Sequence, residues 1–251
     1  MSLFALGDPH LSLGADKPMD IFPGWNDYVT RMERGWRALV KEDDTVVLPG
    51  DISWAMSLER TKADFAFLNS LPGQKILLKG NHDYWWSTRK KMDAFLEENG
   101  FSTLRILHNN AYRIGDFTVC GSRGWFFDAE TDAGKKVLLR EAGRLRMSIA
   151  AGKQLGGTLL VFLHYPPVST LQTCDELMQV LKEEGVTRCY YGHLHGASRF
   201  NAVIGQYDGI DFRLFRRITS DFVRKSLKNF KKSMEILDII CYNNQVKFHN
   251  G

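Results

Sequence analysis

The sequence predicts an α/β layered fold, in which short buried strands alternate with amphipathic helices. Short apolar runs, each followed by glycine or polar turn residues, are typical of buried strands. Longer stretches with helical patterning separate them, and hairpin-like pieces indicate mixed rather than purely parallel sheets. With 251 residues and 44% hydrophobic content, the chain is long enough to bury a large core in one domain.

The expected elements follow one another along the chain with few interruptions. Strands are expected at residues 3–6, 46–48, 76–78, 159–163 and 189–191. Helices are expected at residues 25–40, 58–68, 87–97, 130–152 and 175–184. Residues 104–120 and 200–214 are rich in strand-forming side chains and are expected to add hairpins. This alternation favours helices that cover the faces of sheets.

Cysteine usage and the amino terminus favour a cytoplasmic protein. The four cysteines, Cys120, Cys174, Cys189 and Cys241, contain no CxxC pair and lie mostly in apolar surroundings, which predicts reduced, buried thiols. The amino terminus enters the first predicted strand without a charged and then apolar leader. No apolar stretch approaches the roughly 18 residues that a membrane span needs. Neither secretion nor a transmembrane segment is therefore expected.

Five of the seven histidines stand in or beside polar clusters that follow predicted strands. The clusters are Asp8-Pro9-His10, Gly50-Asp51, Gly80-Asn81-His82-Asp83, His164, and Gly192-His193-Leu194-His195. Histidine, carboxylate and carboxamide side chains that arrive repeatedly at strand ends are typical of a metal site.

Each cluster on its own has an ordinary explanation. Asp51 and Asn81 could be turn residues or helix caps, and His164 could be a hydrogen-bonded core histidine. His193 and His195 would point to opposite sides of an ideal strand, although an irregular loop would let them converge. The order and spacing of all five clusters together nevertheless favour metal binding over these separate explanations.

These motifs, in this order, resemble the calcineurin-like metallophosphoesterase superfamily, with bacterial metallophosphoesterases and serine/threonine phosphatase-like enzymes among its members. The resemblance extends from about residue 3 to residue 215. It implies a four-layer αββα sandwich, with two mixed β-sheets between helices and a dinuclear metal site on the strand-end loops. It also implies a hydrolase that acts on phosphate esters.

Motif by motif, the resemblance implies a role for each cluster. It assigns Asp8, His10 and His195 to a first metal ion and Asn81, His164 and His193 to a second, with Asp51 bridging both. The cofactors would be two divalent or transition metal ions, with manganese, iron or zinc favoured. A hydroxide that bridges the ions would attack phosphorus, while His82 would act as general acid or phosphate contact. Asp83 is expected to order the loop.

The segment after Asp51 departs from the protein phosphatases of this superfamily. Those enzymes carry GDxxDRG, in which a second Asp orients the catalytic histidine and an Arg grips phosphate. Here the segment is Gly50-Asp51-Ile52-Ser53-Trp54-Ala55, so both residues are missing. Arg123, in a glycine-flanked loop, could bind the substrate instead, and a surface arginine stacked on a tryptophan is the alternative.

The carboxyl-terminal residues differ from the rest of the chain in charge. Residues 213–232 hold eight Lys or Arg against one acid, a balance of +7, so the remaining residues carry −3 of the formal net charge of +4. Val223, Leu227, Phe230, Met234 and Leu237 recur at spacings of four and three, which predicts an amphipathic helix. We therefore divide the chain into a metallophosphoesterase domain, residues 1–215, and a basic amphipathic extension, residues 216–251, packed on the domain or on a partner.

The function predicted from the sequence is metal-dependent hydrolysis of phosphomonoester or phosphodiester bonds. One alternative is a nucleotide or nucleic-acid phosphodiesterase, which the basic carboxyl-terminal residues would favour. An alternative of another class is a phosphoesterase-like fold that serves as a binding module without catalysis. The expected partner is a phosphate-ester substrate, and the sequence predicts no particular oligomeric state.

Overall fold

Two β-sheets packed face to face, with helices on both outer faces, form the body of the protein. The computed structural model describes residues 1–22, 24–125, 131–215, 222–223, 236–238 and 240–241. Within these residues the layers follow the order helix, sheet, sheet, helix. The predicted four-layer αββα fold is confirmed.

Up to residue 215 the described secondary structure agrees with the expected alternation, and there the differences lie in the boundaries of the elements. The described α-helices are α1 (Tyr28–Leu39), α2 (Lys62–Ser70), α3 (Arg89–Glu98), α4 (Asp132–Leu155) and α5 (Asp175–Glu183). The described strands are β1 (Leu3–Ala5), β2 (Thr45–Leu48), β3 (Gln74–Leu77), β4 (Leu104–Ile106), β5 (Tyr112–Ile114), β6 (Phe117–Ser122), β7 (Thr158–Leu163), β8 (Arg188–Tyr191), β9 (Gly205–Tyr207), β10 (Ile210–Leu214), β11 (Phe222–Val223), β12 (Ile236–Asp238) and β13 (Ile240–Cys241).

The first sheet is parallel, in the strand order β12-β1-β2-β3-β4. Its central strands are apolar on both faces because both faces are covered. One face packs against α1, α2 and α3 in a core that includes Trp36, Phe65 and Met92.

The second sheet is mixed, in the strand order β5-β6-β7-β8-β10-β9. Strands β6, β7, β8 and β10 are parallel, and the antiparallel edge strands β5 and β9 belong to the expected hairpins. Helices α4 and α5 cover its outer face. A third apolar cluster, which includes Val47, Ile76, Leu160 and Phe162, joins the two sheets. These cores fix the parallel strands of both sheets. The loops at the carboxyl ends of those strands therefore begin from fixed positions.

The carboxyl-terminal residues contribute a strand to the first sheet. Residues Ile236–Asp238 pair in parallel with β1, whose backbone groups would otherwise be exposed at a sheet edge. The helix expected through Val223 and Leu237 is wrong at these two positions, since both lie on strands. Its middle positions, Leu227, Phe230 and Met234, lie outside the described residues. The division of the chain at residue 215 stays a prediction.

Two further expectations concern the described residues alone. Cys120, Cys174 and Cys189 are free and buried, as expected of reduced thiols. No described helix is long and apolar enough to span a bilayer.

Candidate metal centre

The candidate ligands lie on loops at the carboxyl ends of five strands drawn from both sheets. They are Asp8, His10, Asp51 and Asn81 after β1, β2 and β3, and His164, His193 and His195 after β7 and β8. The carboxyl ends of parallel strands lie at one edge of a sheet, which is where open α/β sheets bind ligands. Stacking the two sheets brings the two sets of loops together.

Six of these side chains form two compact groups. Asp8, His10 and His195 make one group, and Asp51, His164 and His193 make the other. Within each group, one ligand atom from each residue lies within 4.8 Å of the others. The groups match the sets that the resemblance implies for two ions. Their role as ligands stays a prediction.

Asp51 lies between the two groups. Its Oδ2 is 3.6 Å from Nε2 of His10 in the first group, and its Oδ1 is 3.5 Å from Nε2 of His164 in the second. The backbone N–H of His82 donates to Oδ1 at 2.8 Å and fixes the rotation of the carboxylate. A carboxylate with one oxygen toward each group has the geometry of a bridging ligand.

Asn81 belongs with the second group, because its Oδ1 lies 2.7 Å from Nε2 of His164. The other ring nitrogen of His164, Nδ1, lies 3.1 Å from the carbonyl oxygen of Pro49. A carbonyl can only accept, so Nδ1 carries the proton and Nε2 presents its lone pair toward the asparagine oxygen. A metal ligand histidine is oriented in this way by its second nitrogen.

The electrostatics of the site favour bound cations. Burial raises the pKa of Asp51 to about 9, with further contributions from Asp8 and Asp83. Burial lowers the pKa of His164 well below its usual value, and lowers that of His193 to about 4. Neutral imidazoles beside crowded carboxylates are a donor set that divalent ions bind, and the ions would remove the carboxylate repulsion. The residues present therefore fit two metal ions.

The backbone at four candidate ligands is left-handed. The φ angles are 50° at Asp8, 45° at His10, 51° at Asp51 and 68° at His193. Among the described residues, these are four of seven non-glycine residues with positive φ. This conformation costs about 1–2 kcal/mol for most residues, and such strain clusters at functional sites. It turns each side chain toward the site at the point where its strand ends.

Two glycines let the loops approach one another. A Cβ at Gly50, where φ is 104°, would lie 2.7 Å from Nδ1 of His164. A Cβ at Gly80 would overlap the backbone nitrogen and the carboxylate of Asp51. Close contact therefore requires glycine at both positions, and at Gly50 the backbone angle requires it as well.

Asp83 ties the Asp51 loop to the Asn81 loop. This fully buried carboxylate accepts hydrogen bonds from the backbone N–H groups of Ile52 at 2.8 Å, Ser53 at 3.2 Å and Gly80 at 2.7 Å. It also accepts from the indole N–H of Trp85 at 2.9 Å. It orders the loops, as expected from the sequence, and neither candidate metal group includes it.

His82 is held by aromatic packing. Its ring centroid lies 4.3 Å from that of Trp54 and 5.7 Å from that of His10. Its Nδ1 has no hydrogen-bond partner within the described parts of the chain. Burial, and then the charge of Lys17, lower the pKa of His82. Its imidazole is therefore mostly neutral at pH 7 and can donate one hydrogen bond.

Arg123 is attached to a ligand loop through its backbone. Its carbonyl accepts from the N–H groups of His164 at 3.1 Å and Tyr165 at 2.9 Å. Its guanidinium stacks on Trp125, 4.8 Å from the ring centroid. The stacking of Arg123 on a tryptophan, one of the two alternatives from the sequence, is therefore present. A contact between Arg123 and the substrate stays a prediction.

Two residues at the site, Lys17 and Tyr165, belong to none of the sequence motifs. Lys17 Nζ lies 3.8 Å from the Trp54 ring centroid, which brings a positive charge near His82. It comes from an irregular loop without a motif. Tyr165 packs against His193 with centroids 4.4 Å apart. Its position next to His164 was the available clue, because the neighbour of a ligand on a loop usually lines the same site.

A family model described as calcineurin-like phosphoesterase matches residues 1–197. The chain belongs to this family. It is therefore a metal-dependent hydrolase of phosphate esters in general terms, and two groups of candidate metal ligands are present where the strands end.

Comparisons with solved structures and curated proteins add little detail. A protein of unknown function from Aquifex aeolicus matches with 15% identity and a TM-score of 0.43, over 84% of this chain and 87% of that one. A phosphopantetheinyl hydrolase from Mycobacterium tuberculosis matches with 16% identity and a TM-score of 0.48, over 84% and 87%. No protein with a curated description matches this chain.

Proposed function

We propose that this chain hydrolyses phosphomonoester or phosphodiester bonds by a two-metal mechanism. The observation that carries the proposal is the position of Asp51, whose two oxygens lie 3.5 and 3.6 Å from imidazoles of different ligand groups. A shared carboxylate allows two ions to lie about 3.5–4 Å apart and to act on one phosphoryl group.

The seven candidate ligands would hold the ions. The first ion would be bound by Asp8, His10 and His195, the second by Asn81, His164 and His193, and both by Asp51. When bound, the ions would supply Lewis acidity and lower the pKa of the attacking water from 15.7 to about 7. Mixed nitrogen and oxygen ligands suit manganese, iron or zinc.

His82 contacts the substrate in this proposal. Its ring lies beside the first ligand group and against Trp54, on the open side of the site. As a neutral ring it would donate a hydrogen bond to a phosphoryl oxygen. As a general acid it would give its proton to the departing oxygen, which requires that substrate binding raise its pKa.

Arg123 also contacts the substrate in this proposal, as a phosphate-binding side chain. Its guanidinium stacks on Trp125 and forms no ion pair with a carboxylate of the described residues, so we expect its charge to be available to an anion. Its backbone is hydrogen-bonded to the His164 loop, which brings it close to the metal centre.

The direct experiment measures metal content and turnover on the same sample. Protein purified without chelator is analysed for metals, then assayed with Mn²⁺ on p-nitrophenyl phosphate and on bis(p-nitrophenyl) phosphate. We expect turnover of at least one ester, loss after chelation and recovery when metal is returned. Bound metal without turnover of either ester would contradict the proposal and favour the binding module.

The same sample separates the nucleic-acid alternative. A phosphodiesterase that acts on nucleic acid should cleave single-stranded DNA or RNA, and cleavage should weaken as salt rises because phosphate contacts release counterions. Turnover of the small esters without such cleavage would favour a small-molecule substrate.

A further inference from the structure

A second cavity lies at the carboxyl ends of β3, β4 and β6, on the same edge of the sandwich as the metal centre. Its volume is about 330 Å³. Its lining includes Lys79, Thr88, His108, Arg123, Glu141 and Arg144. None of the seven candidate metal ligands lines it, so it is separate from the site described above. We call it the side cavity.

The lining of the side cavity carries an excess of positive charge. Its charged side chains are Lys79, Arg123, Arg144 and Glu141. Arg144 forms an ion pair with Glu141 at 3.1 Å, and the same carboxylate accepts from the N–H of Gly124 at 3.1 Å. Within the described residues, neither Lys79 nor Arg123 forms an ion pair, and the charges of Asp83 and Glu141 act on Lys79 from a longer distance.

The two unpaired cations affect each other. Lys79 and Arg123 line the same cavity and both are half-buried, so water screens their charges less than it screens fully exposed charges. Like charges in one cavity repel each other, and an anion bound between them would offset that repulsion.

Neutral hydrogen-bond donors add to the same environment. Helix α3, ten residues long, begins at Arg89, directly after the lining residues Ser87 and Thr88. Thr88 caps it by accepting from the N–H of Lys91 at 3.4 Å, and the remaining N–H groups of the first turn carry the positive end of the helix dipole. Burial, with Arg144 and other charges, lowers the pKa of His108, so that ring is also neutral at pH 7.

The side cavity shares two loops with the metal centre. Lys79 precedes the candidate ligand Asn81 by two residues, and the carbonyl of Arg123 accepts from the N–H of the candidate ligand His164. Tyr165 packs on His193. It also lies close enough to Arg123 and Asp51 for the charge of each to affect the pKa of its hydroxyl group. A molecule could therefore reach from one site to the other.

We infer that the side cavity binds a second phosphate group of the substrate, so that the preferred substrate carries two phosphate groups. This inference rests on the proposed function, and it assigns Arg123 to the second phosphate rather than to the one at the metals. A phosphate monoester carries a charge of about −1.5 to −2 at neutral pH, which balances Lys79 and Arg123. A volume of about 330 Å³ is at the small end of ligand sites and suits a phosphate with part of its linker.

Binding without turnover tests the inference on the metal-loaded protein. The probes are α,ω-alkane bisphosphonates of increasing chain length and alkyl monophosphonates of matched length, whose C–P bonds resist hydrolysis. Affinities are measured by titration calorimetry. At one chain length we expect the bisphosphonate to bind about 10- to 100-fold more tightly, the size of one or two charge-assisted hydrogen bonds.

Variants identify the cavity as the source of that preference. Lys79→Met and Arg123→Met should each remove most of it, and Lys79→Gln provides a second test at the same position. Arg140→Met removes a charge from an exposed position of α4 outside the cavity and should preserve the preference. An equal preference in wild type, Lys79→Met and Arg123→Met would overturn the inference.

Inorganic phosphate has the same chemistry and is the other source of an anion. It is titrated into wild type and Lys79→Met alongside the bisphosphonates. Phosphate binding that depends on Lys79, together with no bisphosphonate preference at any length, would mean that the cavity holds a free ion and would overturn the inference.

Hydrolysis then separates this inference from the proposed function. With Mn²⁺, an alkanediol bisphosphate of the preferred length should show a higher kcat/KM than its monophosphate. Lys79→Met should reduce the difference in kcat/KM between the two substrates. A bisphosphonate preference without hydrolysis of any ester would contradict the proposed function while supporting the second phosphate site. Hydrolysis of the esters without a preference for the bisphosphonate would support the proposed function and contradict the second phosphate site.

Discussion

The two faces of the strand-end loops are built in different ways. The ligand face consists of the seven candidate ligands with Asp83. The substrate face, named for its proposed role, consists of Lys17, Trp54, His82 and Arg123, together with Tyr84, whose ring centroid lies 6.2 Å from that of His82. On the ligand face Asp8, Asp51 and His164 are almost fully buried, and backbone N–H groups fix the carboxylates of Asp51 and Asp83. On the substrate face ring stacking and cation–π contacts dominate, and Tyr84 is 56% exposed.

This difference teaches which interactions each task needs. A metal ion requires ligand atoms fixed within tenths of an ångström, and buried hydrogen bonds to the backbone provide that. A phosphate ester arrives from solvent and needs exposed donors and charges. Changes to the ligand face should therefore affect metal content or stability, whereas changes to the substrate face should affect turnover alone.

The broadest effect is expected at the centre of the ligand face, where turnover and metal content should both fall. Asp51→Asn removes one negative charge from between the two groups and should lower kcat about 10²- to 10³-fold or more, the scale of losing a transition-state contact. Bound metal should fall in parallel, measured by elemental analysis. Asp208→Asn is the control, because Asp208 has nearly the same φ, 52° against 51°, and is exposed on a hairpin. Full activity in Asp51→Asn would defeat the proposed bridge.

The corresponding change on the substrate face is His82→Ala. Loss of a hydrogen-bond donor or proton donor should lower kcat by roughly 10²- to 10⁴-fold, while metal content stays at the wild-type level. His82→Gln sharpens the result, because glutamine can donate a hydrogen bond but cannot transfer a proton. Recovery of activity by glutamine favours a phosphate contact, and no recovery favours a general acid. A loss of metal in either variant would break the distinction between the faces.

Adjacent residues on opposite faces provide a third test. Asp83→Ala leaves the N–H groups of Ile52, Ser53 and Gly80 without their buried acceptor, and should lower the free energy of unfolding by about 3 kcal/mol or more. Tyr84→Ala removes an exposed ring and should change it by less than about 0.5 kcal/mol. Urea unfolding measures both. Similar values for the two variants would contradict the comparison.

Removal of metal should have a smaller effect on stability than Asp83→Ala. Ions that bind the folded state stabilise it by about 2.7 kcal/mol when present at 100 times their dissociation constant. Chelation should therefore lower the Tm of the wild type and change that of Asp51→Asn by less. An equal shift in both proteins would show that the lost ions bind elsewhere.

Much of the fold was predictable because its signals are local. The central strands of both sheets are continuous apolar runs because both of their faces are covered. Each helix has an apolar face because it packs against one of the sheets. The carboxyl-terminal residues were predicted less well. The spacing of Val223 and Leu237 suits a helix, but both lie on strands, and strand pairing with β1 depends on a partner nearly the whole chain away.

The candidate ligands were predictable from their order along the chain, and so were His82 and Arg123 as candidate substrate contacts. Asp51 and Asn81 each follow a strand and a glycine, which is a recognisable pattern. Lys17 and Lys79 have no such pattern, and their relevance depends on the proximity of Lys17 to Trp54 and of Lys79 to Arg123, which only folding creates. Contacts between loops of different length produce no periodic pattern in the sequence, so they could not be predicted from it.

The left-handed backbone at Asp8, His10, Asp51 and His193 has an evolutionary consequence. Glycine adopts such angles freely, so each of these positions gives up folding free energy to carry a candidate metal ligand. Replacing these residues by glycine in a descendant that no longer needs catalysis would therefore increase the stability of the folded state. A descendant that kept this architecture for another purpose should carry glycine at these positions and should melt at a higher temperature than its catalytic ancestor.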